Sequence, residues 1–170
     1  MNLSEYIRDI PDFPREGILF RDITPLLSSP AAFNFAISKM SDLGKDLKPD
    51  VIVGIESRGF IFGIPIAMNL GLPFVPVRKQ GKLPFQSLSA SYNLEYGEDS
   101  LEIHEDALSP GDSVLIVDDL IATGGTLGAC SELVGKMNAK VVGATVLIDL
   151  VGIRAKDRFS DININSLIRY

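Results

Sequence analysis

The sequence predicts an α/β fold, a central mostly parallel sheet flanked by helices, and three observations carry that prediction. Short runs rich in Val and Ile recur along the chain: VIVGI at 51–55, VLIV at 114–117 and VVGATVLI at 141–148. Their length and near-continuous apolarity suit strands buried on both faces. Stretches of helical apolar period separate them, and Gly, Pro, Ser and Asp punctuate the joins. At 170 residues one domain, residues 1–170, is expected, long enough to bury roughly two thirds of its unfolded surface.

In order along the chain, FRDITPLL (20–27) has the make-up of a cap and hydrophobic staple at a helix start. Ser29-Pro30 supplies an N-cap and a first-turn proline, and Phe33, Ala36, Ile37, Met40 and Leu43 form one stripe. That pattern predicts an amphipathic helix over 30–47. VIVGI then reads as a buried strand, and GFIFGIPIAMNLG, apolar on nearly all sides, as a buried helix. Residues 73–77 read as a further strand, and 79–99, rich in Lys, Gly, Ser and Tyr, as a long mobile loop or hairpin. Ser109-Pro110-Gly111-Asp112 makes a turn before VLIV; GGTLGACSELVGKM (124–137) reads as a helix, VVGATVLI as a strand and INSLI near the end as a weak one.

Composition excludes several classes of protein. Apolar residues make up 46% and charged residues 22%, which is ordinary for a globular chain. No apolar run approaches the ~20 residues of a bilayer span, and MNLSEYIRDIPDF lacks the basic and apolar regions of a secretory leader, so a cytoplasmic protein without a membrane partner is expected. One cysteine, Cys130, permits no intramolecular disulfide and reads as a small buried residue in a reducing compartment. A net charge of −6 disfavours nucleic acid as a partner but leaves room for one local positive pocket. His104, the only histidine, reads as a solvent-facing strand residue without chemistry.

The chemistry concentrates in VLIVDDLIATGGT (114–126). Ligands of open parallel sheets bind beyond the carboxyl ends of strands, where Asp118, Asp119 and the ATGGT turn are expected. Gly124 and Gly125 allow close backbone approach, Thr123 and Thr126 offer hydroxyls, and the following helix presents its N-terminal N–H groups and positive dipole end. A phosphate monoester fits there. Two carboxylates beside a phosphate need something else to bind, such as a ribose cis-diol, hydrated Mg²⁺ or a developing cation. The combination points to a sugar phosphate; the plainer alternative is a tight turn in which the aspartates merely cap backbone N–H groups.

VLIVDDLIATGGT resembles the phosphoribosyl diphosphate motif of the type I phosphoribosyltransferases, in the form found where adenine is the acceptor. FPREGILFRDITPLL (13–27), GIESRGFIFG (54–63), VPVRKQGKLP (75–84), SYNLEYG (91–97) and LEIHEDAL (101–108) agree in order and spacing, so the resemblance covers nearly the whole chain. It implies a small N-terminal hood of about 1–30, with part of the C-terminus, and a flexible catalytic loop of about 79–97. Asp118 and Asp119 would hold the ribose hydroxyls, and Ala122, Thr123, Gly124, Gly125 and Thr126 the 5-phosphate. Glu56-Ser57-Arg58-Gly59 would form the pyrophosphate loop, with Arg58, Arg78, Lys79 and Lys82 converging on the diphosphate; standing alone, RKQGK would read as a solvated basic loop.

The same resemblance implies that Leu19, Phe20, Arg21 and Leu150 hold adenine, with Phe20 and Leu150 sandwiching the ring. Ser91, Tyr92, Glu95 and Tyr96 would lie on the closing loop, Glu95 exchanging a proton with the purine. The substrates and products implied are adenine, 5-phosphoribosyl 1-diphosphate, AMP and pyrophosphate. Mg²⁺ would bind mainly through substrate oxygens rather than a protein cage, and a homodimer is implied, with Arg21 to Thr24 contributing subunit contacts. Phe85 and Ser87 depart from the family pattern in the loop, as do Asp149 and Ala155 near the C-terminus. Two other readings keep the phosphate site: transfer to a different base, or a regulator that binds phosphoribosyl diphosphate without turnover.

Overall fold

A computed structural model of the chain describes residues 1–93, 98–154, 159 and 161–170. A 3-10 turn over Leu3–Tyr6 precedes β1 (Arg8–Pro11) and β2 (Leu19–Asp22), which form a small antiparallel sheet pairing Arg8 with Asp22 and Ile10 with Phe20. The short helix α1 (Thr24–Leu27) and the long α2 (Pro30–Lys45) follow. The remaining elements are β3 (Val51–Ile55), α3 (Arg58–Leu70), β4 (Phe74–Lys79), β5 (Ser87–Asn93), β6 (Glu98–His104), β7 (Ser113–Ile121), α4 (Gly125–Lys136), β8 (Lys140–Asp149) and β9 (Ile164–Arg169).

The local chemistry explains these boundaries. Ser29 caps α2, its side chain accepting from the Ala32 N–H at 3.4 Å, and Pro30 takes the first helical position. The helix ends at Lys45, two residues before the sequence expectation, where Leu47 N turns back to the Gly44 carbonyl. The expected strand at 114–117 proves to be only the first part of β7, which continues through both aspartates to Ile121. The reason is tertiary: β8 pairs with it as far as Ile121↔Asp149, so neighbouring backbone groups continue the ladder past the end of the apolar run. Residues 79–99 resolve into β4's last residue, a turn and the β5–β6 hairpin; residues 94–97 of the expected loop lie outside the described residues.

Seven strands form one sheet in the order β5-β6-β4-β3-β7-β8-β9. The β4-β3-β7-β8-β9 portion is parallel, and the β6 and β5 edge is antiparallel. Alternation along each strand sorts side chains between two cores. Ile52, Leu115 and Val117 pack with Phe62 and Ile66 of α3 and Ala36 and Met40 of α2. Val53, Ile55, Val114 and Ile116 pack with Ala129, Cys130 and Leu133 of α4. Each fully buried Leu, Ile or Phe in these layers contributes about 1.5–3 kcal/mol from area removed from water.

Candidate active site

From β3 the chain crosses through α3 to β4 on one side, and from β7 through α4 to β8 on the other. The crevice beyond the carboxyl ends of β3 and β7 is therefore a topological switch point. The β3–β7 ladder ends at Gly54↔Val117, so Asp118 and Asp119 project where β3 no longer covers them. Being consecutive on a strand, they point to opposite faces.

Asp119 is buried and pairs with Arg58, the Nε lying 3.0 Å from Oδ2. Asp118 is half-buried, its Oδ1 accepting from the Asp119 N–H at 2.9 Å. Burial pushes both carboxyls above the usual range; the Asp119 charge raises Asp118 further, while Arg58 partly offsets the rise at Asp119. The Cys130 thiol, buried in α4 as the sequence predicts, is pushed up by burial and then by the Asp118 charge.

Beyond Ile121 the chain turns through Ala122 and Thr123 to Gly124, the N-cap of α4, at φ 90 and ψ 11. Only glycine suits this place, since that φ disfavours a side chain and an added Cβ would overlap the Phe159 ring. No side chain caps α4 and no acidic residue stands in its first turn. The N–H groups of Gly125, Thr126 and Leu127 are thus open to an anion, reinforced by the helix dipole.

Across the crevice β3 runs into Glu56 and Ser57, joined by a cis peptide, and Arg58 opens α3. The Glu56 carboxylate accepts from the Lys79 N–H at 3.0 Å and from Arg78 Nε at 3.2 Å. Burial opposes its ionisation, but these donors hold it below the ordinary range. The four expected cations do not simply converge. Arg58 faces Asp119, Arg78 faces Glu56, and Lys79 Nζ lies 2.8 Å from Asp99 Oδ2. Carboxylates in each neighbourhood take the cations as internal counter-ions. Lys82 enters through its backbone, its carbonyl accepting from Arg78 at 3.2 Å.

A second cavity, of about 420 Å³, lies between the small sheet and α3, lined by Ile10, Phe13, Phe20, Ile23 and Leu27, with Arg58 at its edge. Phe13 meets Phe20 edge-on at 5.1 Å, and the Arg58 guanidinium stands 5.4 Å from the Phe20 ring. Of the four residues expected at the base, Phe20 alone lines this cavity. Leu19 and Arg21 point away because strand side chains alternate. Leu19 is 45% exposed, and Arg21 pairs with Asp9 and stacks on Tyr170 at 3.6 Å. Leu150 packs against the core beneath α2 and α3, its N–H donating to the Ile121 carbonyl. Asp149 is buried, 3.4 Å from Arg154. Glu95, Tyr96 and Ala155 lie outside the described residues.

Sequence reasoning missed Phe13, Asp22 and Asp99. Asp22 lines the same cavity and accepts from Thr24 and Arg8, which holds its carboxyl low; its two-residue spacing from Phe20 was the available signal. Nothing local marks Asp99, whose side-chain partners, Lys79 and Tyr92, come from other strands. His104 is a correction: Nε2 is buried without a partner, and Phe85, itself 55% exposed, meets the ring edge-on at 5.9 Å, because the chain before β5 folds back over it.

These features describe an α/β protein with a ligand crevice at the carboxyl edge of its sheet and an anion-receiving helix start beside paired carboxylates. The family model for the phosphoribosyl transferase domain matches residues 23–168. An adenine phosphoribosyltransferase of a Synechococcus strain is 53% identical over 170 residues, all of this chain and 99% of that protein. Among solved structures, adenine phosphoribosyltransferase from Thermoanaerobacter pseudethanolicus superposes with a TM-score of 0.96 at 47% identity, covering 99% of this chain and 98% of that one. The Saccharomyces cerevisiae adenine phosphoribosyltransferase, complexed with an imino-altritol bisphosphate and adenine, gives 0.86 at 39%, covering 98% and 95%. The chain belongs to the type I phosphoribosyltransferase family, among the adenine phosphoribosyltransferases.

Proposed function

We propose that this chain transfers the 5-phosphoribosyl group from 5-phosphoribosyl 1-diphosphate to adenine, giving AMP and pyrophosphate, in purine salvage. The observation that carries this reading is the Asp118–Asp119 pair placed just before the uncapped start of α4. The carboxylates take the ribose hydroxyls, and the backbone and hydroxyls of Ala122, Thr123, Gly124, Gly125 and Thr126 take the 5-phosphate. Glu56, Ser57, Arg58, Arg78, Lys79 and Lys82 frame the diphosphate. As the C1–O bond breaks, its electron pair leaves with the diphosphate and positive charge develops on the ring. The aspartates stabilise that charge while a purine nitrogen forms the new bond to C1. Glu95 exchanges the proton that the nitrogen gives up.

Mg²⁺ is the cofactor of this reading. Arg58, Arg78 and Lys79 are each paired with a carboxylate, Asp119, Glu56 and Asp99, so their charge near the crevice is roughly balanced and a polyanionic diphosphate needs added positive charge. The ion would be carried mainly by substrate oxygens, with Asp118 and Asp119 acting on it through the ribose hydroxyls. Bound there, Mg²⁺ would neutralise charge on the leaving group.

Adenine enters the cavity beside Phe20, with the chain at Leu19 and Arg21 reading its edge. Fixed backbone donors and acceptors that match a 6-amino purine mismatch a 6-oxo purine, so adenine should be preferred over hypoxanthine by roughly 100-fold or more. AMP formation measured with adenine, hypoxanthine, guanine and uracil tests this: adenine alone should turn over rapidly, and Glu95→Gln should slow it. Rapid turnover of another base would move the error to the base cavity, and an undiminished Glu95→Gln rate would remove the proton-exchange role.

A homodimer completes the proposal. Ile61, Ile64 and Met68 recur on one side of α3 and are 38%, 47% and 76% exposed, an apolar stripe that a second copy would cover. No helix among the described residues is long and apolar enough to cross a membrane. Light scattering should give twice the chain's 18.4 kDa; a monomer mass under assay conditions would overturn it.

A further inference from the structure

We infer that Asp99 sets the affinity of the crevice for the diphosphate by holding Lys79 as an internal counter-ion. The inference rests on the reading of Lys79 as one of the diphosphate's cations. Lys79 ends β4, and its backbone N–H is fixed by Glu56 at 3.0 Å. The base of the side chain is therefore anchored at the crevice, and only the ammonium is free to choose a partner. In this structure it chooses Asp99 Oδ2 at 2.8 Å.

Asp99 is itself held in place. The Tyr92 hydroxyl donates to the same oxygen at 3.0 Å, and the Ser100 N–H donates to Oδ1 at 2.8 Å. These donors keep the carboxyl below its ordinary range, with the Lys79 contact the largest cause. A fixed, ionised carboxylate facing a half-exposed ammonium, 53% accessible against 25% for Asp99, competes directly with any incoming phosphate oxygen. The competition is weak enough for a diphosphate to win, because ion pairs this exposed are worth little.

A second acid on the same strand acts differently. Glu102 Oε2 accepts from the Gly81 N–H at 3.0 Å, so it shapes the backbone of the turn from Lys79 to Lys82 without drawing an ammonium away. β6 thus carries one residue that shapes the cationic turn and one that restrains its charge. Removing the restraint should improve diphosphate binding, an effect opposite to that of losing a structural support.

Calorimetric titration of the full-length enzyme with Mg²⁺ and 5-phosphoribosyl 1-diphosphate tests this. Asp99→Asn keeps an acceptor oxygen for the Ser100 N–H and turns an amide N–H toward the Tyr92 hydroxyl, which can accept it, but loses the charge, and should lower Kd roughly two- to fivefold. Glu102→Ala should raise it. Lys79→Ala should raise Kd, and in that background Asp99→Asn should change nothing. An unchanged or raised Kd for Asp99→Asn, or the same gain without Lys79, overturns the inference while leaving the diphosphate site standing. An unchanged Kd for Lys79→Ala overturns instead the assignment of Lys79 to the diphosphate, and the inference with it.

Discussion

Asp118→Asn is expected to lower kcat/KM by about 100-fold or more while raising the melting temperature at neutral pH. Both effects follow from placing two consecutive acids where β7 runs beyond the cover of β3. The site needs negative charge against a ribosyl ring that becomes positive only as the bond breaks. Before ligand arrives, that charge has no equal partner: burial and the Asp119 carboxylate both disfavour ionised Asp118. Asparagine retains the oxygen that accepts from the Asp119 N–H and removes the repulsion.

The sign of the pH dependence follows from the raised pKa. The folded protein binds this proton more tightly than the unfolded chain, so the group's contribution to stability is fully present below the ordinary value of 3.8. It is lost as pH rises through the elevated folded-state value. The advantage of Asp118→Asn should therefore grow from about pH 4 upward, reaching about 1 kcal/mol, or about 2–4 °C for a chain of this size. Thermal melts of both proteins from acid to neutral pH check this. A variant with full activity, or one less stable at neutral pH, would contradict the account of the pair.

Gly59→Ala is expected to lose both stability and activity, although alanine is the better helix former by about 1 kcal/mol. A Cβ there would lie 2.8 Å from the Val117 carbonyl oxygen, 2.9 Å from Asp118 Oδ1 and 3.2 Å from the Asp118 Cα. Two of those atoms are backbone in a paired strand and cannot swing aside. Overpacking of this kind costs about 1–3 kcal/mol, and relief by shifting β7 would move Asp118 from the crevice, so kcat/KM should fall about 100-fold. Gly135→Ala, in α4 with nothing within 4 Å of its added Cβ, is the control and should stabilise by up to about 1 kcal/mol. Equal behaviour of the two variants in thermal melts and AMP formation would sink the packing argument.

Much of this protein is legible without coordinates wherever a residue's role depends on its sequence neighbours. The apolar runs locate β3, β7 and β8; Ser29-Pro30 locates α2; and two aspartates followed by glycines and threonines locate the crevice between β7 and α4. Each signal is local because strand alternation, helix capping and the open N–H groups of a helix start are set within a few residues. What was less legible is how far β7 extends, since its last residues are held by pairing with β8 rather than by their own apolarity. The same holds for the base cavity, where alternation admits Phe20 and turns Arg21 toward Tyr170.

By itself, then, the sequence determined the α/β class, the family and the place of the paired aspartates before a glycine-led helix start, because these depend on periodicity and on motifs contiguous in the chain. Only the tertiary structure decided which carboxylate holds each cation, Arg58 on Asp119, Arg78 on Glu56 and Lys79 on Asp99, each pair joining segments far apart in the chain. Charge pairing acts through space over a few ångströms, and strands adjacent in the sheet, such as β3, β4 and β6, supply partners whose separation in sequence carries no sign of their contact.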